Sequence, residues 1–458
     1  MPARNLSLRL APLLTIFACG GSDDHAPPVG GGGAAGAGTG GASGASGAAI
    51  AGAAGARVIV ETFGTNLYGA DSPSEAERRP ALLAAIAAAD SDVLCVTDVL
   101  REEDTQAIAD AAKAAFPHST WGTRDDKTRA DDPRDLAGNL PTAPATAPCS
   151  SAAQRKALEE GVACAEMVCS SIPSDPSGHV TSVDCVSSQC SAPLLPLLVG
   201  SDDDRRCVSC LEAELASYSS WTELVARCET DPEAGFVFHG QTDTVLLSKH
   251  PFVEGSQRSA VLPSSLFRRE VLRASIDVGG GLDVYCVHLQ TAFSGSLIVY
   301  PGPYGAGLSG TQAWAAENRL QAKRVADFVL ANSAADRPTV VVGNLESSQQ
   351  VTSASGALLV SANGAPETLD LLTPTPFLRG VVAGYQPVCT VCPENPLAQI
   401  APPGMWTEHV LIRGLTQANV EATSRGFMEP KVTITGPSGP TMVPLSSHTS
   451  LRSTLRLP

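Results

Sequence analysis

Asp92-Val-Leu-Cys-Val-Thr-Asp98 is a continuous apolar run held between two acids, and it predicts a buried strand. Upstream, residues 57–63 form a second run rich in Val and Ile. Gly64, Asn66 and Gly69 follow it, the pattern of a strand opening into a loop. Residues 78–89 between the two runs read as a helix. Downstream, Ile108, Ala111, Ala112 and Ala115 recur at helical spacing and place a narrow apolar stripe on a second helix. Strand, helix, strand, helix is an α/β opening. After an interruption the pattern resumes with strands at residues 244–248, 271–276 and 283–289. A helix then starts at Thr311, with Ala322, Val325, Ala326 and Val329 on its inner face and Pro338 beyond its end. Strands at 339–343, 409–412 and 451–457 complete the order. Strands dominating the second half, with one long helix among them, predict a two-sheet α/β sandwich instead of a Rossmann sheet.

The interruption is rich in cysteine. Cys149, Cys164, Cys169, Cys185, Cys190, Cys207, Cys210 and Cys228 crowd residues 149–228. This density reads as a disulfide-stapled insert of undetermined connectivity. Cys207-x-x-Cys210 also has the spacing of zinc ligands, but His179 is the only histidine within the cluster. Cys389-x-x-Cys392 reads as a local loop disulfide. Cys95 and Cys286, inside predicted core strands, read as small buried hydrophobes.

The N-terminus carries Arg4 and Arg9, then an apolar run from Leu10 to Ala18 that stops at Cys19. This is the pattern of a signal peptide and is too short for a membrane span. Ile16-Phe17-Ala18-Cys19 approximates a bacterial lipobox, in which the cysteine is acylated after cleavage. The expectation is an exported lipoprotein anchored through Cys19 in the cell envelope, at the outer membrane. Residues 20–56 are largely Gly, Ala and Ser and read as a flexible tether, with the folded domain at 57–458. The chain has 458 residues, with 31 Lys and Arg against 47 Asp and Glu, a formal net charge of -16. That balance opposes unaided binding to a polyanion, so no nucleic-acid partner is expected and a phosphate substrate needs a metal or a local basic pocket.

Five stretches in order carry a family resemblance: Val-Glu-Thr-Phe-Gly64, Asp92-Val-Leu-Cys-Val-Thr-Asp98-Val, Thr244-Val-Leu-Leu-Ser-Lys-His-Pro251, Val284-Tyr-Cys-Val-His288-Leu and Val340-Val-Val-Gly-Asn344-Leu-Glu346. Thr407-Glu-His409-Val-Leu and Leu445-Ser-Ser-His448 close the series. In this order they resemble the endonuclease/exonuclease/phosphatase superfamily. The resemblance implies a divalent cation, usually magnesium, held by carboxylates at strand ends, and two histidines flanking the scissile phosphate.

Carried over by residue, the resemblance places His288 and His448 at the two histidine positions. It sets Asp98 where the family has a metal-binding glutamate. The family's Gly-Asp-x-Asn becomes Gly343-Asn344-Leu345-Glu346, so acid and amide exchange places. Asn344 is thus a candidate catalytic residue, and Asp98, Glu346 and Glu408 are candidate metal ligands. Gly64 stands where the family has an asparagine, which Asn66 replaces only if the strand continues regularly. Ser447 stands where the family has an acid, and is read as depriving His448 of its orienting charge. Without the resemblance, the histidines read as strand-end residues with ordinary hydrogen bonds and the acids as solvated strand ends. Arg268, Arg269, Lys249 and Arg324 read as solvated charges, with phosphate contact the less favoured reading.

These substitutions lead to the expectation of an exported lipoprotein whose hydrolytic activity is reduced or lost. The first alternative is a working metal-dependent phosphodiesterase or phosphatase acting on phospholipid head groups or small phosphate esters. The second is an envelope protein that binds a partner through its Cys-rich insert.

Overall fold

A computed structural model describes residues 55–68, 74–122, 146–170, 185–186, 188–215, 220–293, 299–348, 350–352, 358–360, 365–398, 404–436 and 439–458. The signal peptide, Cys19, nearly all of the tether and His179 lie outside them.

The described chain runs β1 (Arg57–Leu67), α1 (Glu75–Ala87), β2 (Val93–Val99), α2 (Glu102–Ala112) and β3 (His118–Trp121). Four helices follow: α3 (Ala152–Val168), α4 (Ser191–Leu198), α5 (Asp202–Leu215) and α6 (Trp221–Thr230). Then come β4 (Val245–Ser248), β5 (Arg258–Val261), β6 (Glu270–Ile276), β7 (Leu282–His288), α7 (Gly310–Asn332) and β8 (Thr339–Asn344). The last part holds β9 (Gln350–Thr352), β10 (Leu358–Val360), α8 (Pro366–Leu372), β11 (Leu378–Arg379), β12 (Glu408–Arg413), β13 (Val420–Gly426), β14 (Val432–Gly436), β15 (Gly439–Val443) and β16 (Ser450–Arg456).

Two six-stranded sheets form the sandwich, in the orders β13-β16-β1-β2-β4-β3 and β11-β12-β8-β7-β6-β5. Strand alternation explains the layers. Val93 and Cys95 of β2, with Val58 and Val60 of β1, meet Val284 and Cys286 of β7 and Val340 and Val342 of β8 in the core between the sheets. Leu94 and Val96 point the other way, onto Leu82 and Ile86 of α1 and Ile108 of α2. Tyr285 and Val341 likewise meet Val325, Phe328 and Val329 of α7. Each sheet is therefore apolar on both faces, which is why its strands read as continuous runs. The predicted α/β sandwich is the observed architecture.

Cys95 and Cys286 correct the sequence reading, because they form a disulfide that ties β2 of one sheet to β7 of the other. Alternation puts both on the inter-sheet face, directly opposite one another. The remaining bridges are Cys149–Cys207, Cys164–Cys190, Cys169–Cys185, Cys210–Cys228 and Cys389–Cys392. All eight clustered cysteines are thus paired among themselves, and the zinc alternative at Cys207 and Cys210 loses its thiolates. Their sulfurs and Leu158, Leu194, Leu211 and Leu224 make a separate small core for α3 to α6. The insert closes on itself, since the Cys149 amide donates to the Cys228 carbonyl at 2.9 Å.

Helix α7 carries a buried acid, Glu317. Glu317 accepts from the Ser265 amide (3.1 Å), the Ser265 hydroxyl (2.5 Å) and the Tyr300 hydroxyl (2.9 Å). Burial nevertheless raises its pKa to about 7. An acid whose pKa is raised in the folded state holds a proton that the unfolded chain has released, so stability falls as pH rises from the unfolded value to about 7. Between pH 4.5 and 7, wild-type protein should lose about 3 kcal/mol that Glu317→Gln does not, as read by denaturant unfolding at the two ends of that window.

Candidate active site at the facing strand ends

Sheet register sets the first row of the site. His288 at the end of β7 lies opposite Asn344 at the end of β8, and Asn344 lies opposite Glu408 at the start of β12. The other sheet supplies Thr62 and Gly64 from β1 and Asp98 from β2. His448 lies in the loop just before β16, the strand that pairs with β1. Alternation alone would send Asp98 outward with Leu94 and Val96. Its backbone is left-handed instead, with φ 62°, which breaks the alternation at that residue. Glu346, two residues past β8, is also left-handed, with φ 49°.

Two histidine–acid pairs result. His448 Nδ1 lies 3.0 Å from Glu408 Oε1, while the other Glu408 oxygen accepts from Thr62 Oγ1 at 2.6 Å. His288 Nδ1 lies 2.5 Å from Asp243 Oδ2, which also accepts from Arg269 Nη1. Asp98 lies between the two imidazoles, with one oxygen 3.5 Å from His288 Nε2 and the other 3.8 Å from His448 Nε2. Glu346 Oε1 is 3.6 Å from His288 Nε2. Asn344 forms a closed ring with Glu346, donating through Nδ2 to Oε1 (2.8 Å) and accepting the Glu346 amide on Oδ1 (2.9 Å). Its side chain thereby orients the glutamate.

The acids outweigh desolvation at both imidazoles. Burial and Arg269 press the His288 pKa down, but Asp243 and Asp98 raise it to about 10. Burial also opposes charge on His448, and the Glu408 hydrogen bond with the Asp98 charge raises its pKa above the ordinary value. Burial favours the neutral forms of Asp243 and Glu346 as well. Arg269 and His288 outweigh it at Asp243, and His288 with His448 at Glu346, so both stay below their ordinary values.

Two sequence expectations change, and one alternative reading falls away. Ser447 does not deprive His448 of an acid, because Glu408 from β12 fills that role across the fold. Consequently Ser447→Asp should leave turnover within about threefold of wild type, in a direct kinetic comparison. Glu408 itself, expected as a metal ligand, has both oxygens engaged by Thr62 and His448. Nor are the acids solvated strand ends: Asp98 and Glu408 are fully buried and Glu346 nearly so.

Gly64 also has a physical explanation. A Cβ there would lie 2.7 Å from Asp98 Oδ2 and 2.9 Å from His448 Cγ, so Asp98 and His448 fill the space of a side chain. Asn66 is no regular substitute, because the β1–β2 register shifts between Gly64 and Leu67 and Asn66 has φ 55°. Its carbonyl accepts from Arg78.

Three contributors were missed or undervalued in the sequence. Asp243 precedes β4 by two residues, and an acid flanking a buried strand was its only signal. Tyr68, just past β1, donates its hydroxyl to Asp98 Oδ1. Burial and Asp98 raise its pKa well above the ordinary phenol value, which keeps it a donor. Arg269 is a buried member of the site instead of a solvated charge, whereas Lys249 binds the Asp90 carbonyl and Arg268 binds Glu233.

This cluster has the donors to hold a divalent cation. Asp98, Asp243 and His288 offer ligand atoms within 4.8 Å of one another. Asp98 Oδ2, Asp243 Oδ1 and His288 Nε2 are buried without hydrogen-bond partners. Orphaned buried polar atoms of this kind are costly unless something charged or polar meets them.

Two six-stranded sheets with an acid–histidine site at their facing strand ends define a two-layer α/β sandwich. Solved structures are similar in fold. Sphingomyelinase C from Streptomyces griseocarneus is 14% identical over 87% of this chain and 99% of that one, with a TM-score of 0.45. A beta toxin mutant from Staphylococcus aureus with bound magnesium ions is 11% identical over 86% and 98%, also at 0.45. An endonuclease/exonuclease/phosphatase family protein from Bacteroides thetaiotaomicron is 8% identical over 88% and 99%, at 0.42. No family model and no curated protein matches the chain.

Proposed function

We propose that this protein is a metal-assisted phosphoester hydrolase, with small phosphate esters or phospholipid head groups as its substrate class. The Glu408–His448 pair facing Asp98 carries this reading. A water beside His448 would give its proton to the imidazole, whose other nitrogen is held by Glu408. His448 must first lose its own proton, and the surrounding acids oppose that loss until their charge is offset. Asp98 and Asp243, each with a buried oxygen that lacks a hydrogen-bond partner, are with Glu346 the acids that would hold magnesium, which would supply charge stabilisation for the phosphoryl oxygens. Arg269 and His288 add positive charge on the same side.

The disulfides support export to an oxidising compartment, in keeping with lipidation at Cys19. No helix among the described residues is long and apolar enough to cross a membrane. A second reading, the same chemistry at reduced turnover, is favoured by the glycine at position 64 and the exchanged order of Asn344 and Glu346.

Bis(4-nitrophenyl) phosphate, 4-nitrophenyl phosphate and phosphocholine esters should be tested with magnesium and with chelator. The expected result is turnover of at least one probe that chelator removes and Asp98→Ala lowers by about 100-fold or more. Absence of metal-dependent turnover on all three would reject the reading.

A further inference from the structure

The four residues closed by Cys389–Cys392 touch both halves of the Glu408–His448 pair. Thr390 is fully buried at the centre of this loop. Its Oγ1 accepts from the amides of Thr407 at 2.9 Å and Glu408 at 3.3 Å. Its carbonyl accepts from the amide of Thr449 at 2.8 Å, the residue after His448. Val391 forms a backbone bridge with His448, and its amide and carbonyl pair with Met405. Arg425 Nη1 donates to the Cys389 carbonyl at 3.0 Å, and Asn395 Nδ2 donates to the Ser446 carbonyl at 2.8 Å.

Glu408 starts β12 of one sheet, His448 lies in the loop before β16 of the other, and the two are 40 residues apart in sequence. Thr390 is the one residue among those described above whose side chain grips the acid strand while its backbone grips the histidine loop. From this geometry we infer that Thr390, presented by the Cys389–Cys392 loop, is a positioning residue for the Glu408–His448 pair. The inference rests on that pair being the proton-handling unit of the proposed reaction. Its physical basis is distance: a hydrogen bond of 3.0 Å weakens steeply with small displacements, and the loop fixes both of its ends. The disulfide limits the backbone freedom of Thr390, so opening it should loosen the same pair without removing the threonine.

Proton NMR of the full-length protein with labelled histidine reads the pair without any need for activity. The Nδ1–H signal of His448 is identified by its loss in His448→Gln. Wild type and Thr390→Ser, which keeps the hydroxyl, should both show it. Thr390→Val and the double variant Cys389→Ser/Cys392→Ser should lose it to exchange with water. In parallel, kcat for magnesium-dependent hydrolysis of bis(4-nitrophenyl) phosphate should fall about 10- to 100-fold in Thr390→Val, with KM within about twofold, and recover in Thr390→Ser. A sharp wild-type signal in folded Thr390→Val overturns the inference. If Thr390→Val does not fold, the double variant decides, and retention of its signal overturns the inference equally. If wild type hydrolyses no probe, the functional reading fails by itself while the NMR comparison still decides the role of Thr390.

Discussion

Replacing His448 with alanine is expected to lower kcat/KM for a metal-dependent phosphoester probe by about a thousandfold, and Glu408→Gln by about a hundredfold. The double variant should be no worse than His448→Ala. The two residues act as one unit: Glu408 holds Nδ1 at 3.0 Å and supplies the charge that favours the imidazolium formed when water loses its proton. With the imidazole gone, the glutamate has nothing left to orient. Steady-state kinetics of the four proteins form a closed cycle, and multiplicative losses would show that Glu408 and His448 act independently. A His448→Ala protein with wild-type turnover would remove His448 from the reaction.

Cysteines 95 and 286 should matter most to stability. Their bridge spans 191 residues of sequence, and a chain-entropy account of so long a loop gives about 5 kcal/mol. Insert disulfides within the loop shorten its effective length but enter only through a logarithm, so Cys95→Ala/Cys286→Ala should still cost about 5 kcal/mol. Cys389–Cys392, with a separation of 3, should contribute about 2 kcal/mol on the same account. Equilibrium unfolding in guanidinium separates the two. Equal losses would show that strand packing, and not loop closure, dominates at the inter-sheet bridge.

Sequence periodicity exposed the eight inner strands of the two sheets, because their apolar residues run continuously or alternate, and it missed the four edge strands β3, β5, β11 and β13, which are short or carry exposed polar residues. It did not expose the Cys95–Cys286 bridge. A cysteine in an apolar run has the same pattern as valine, and only the facing of two sheets brings the sulfurs together. The site divides in the same way. His288, His448, Asp98, Glu346 and Glu408 sit at strand ends or in motifs whose order is visible in one dimension. The partnership of Glu408 with His448 is a contact between sheets, and the neighbouring Ser447 made that histidine look unsupported. Asp243, Tyr68 and Arg269 carry no motif. They enter the site because β4, the end of β1 and the start of β6 arrive beside the same imidazole or carboxylate.

The left-handed backbones of Asp98 and Glu346 have a thermodynamic consequence. A non-glycine residue in that conformation costs roughly 1 kcal/mol or more relative to one that relaxes into an extended or right-handed state. Here two such residues stand at one site, and both are buried acids. Folding alone gives no reason to keep either. Glycine at 346 would relieve the backbone and remove a desolvated charge together, giving a sturdier protein with a blunted centre. Sequence variants selected only for heat resistance should therefore gather at these two positions and lose the site as they gain stability.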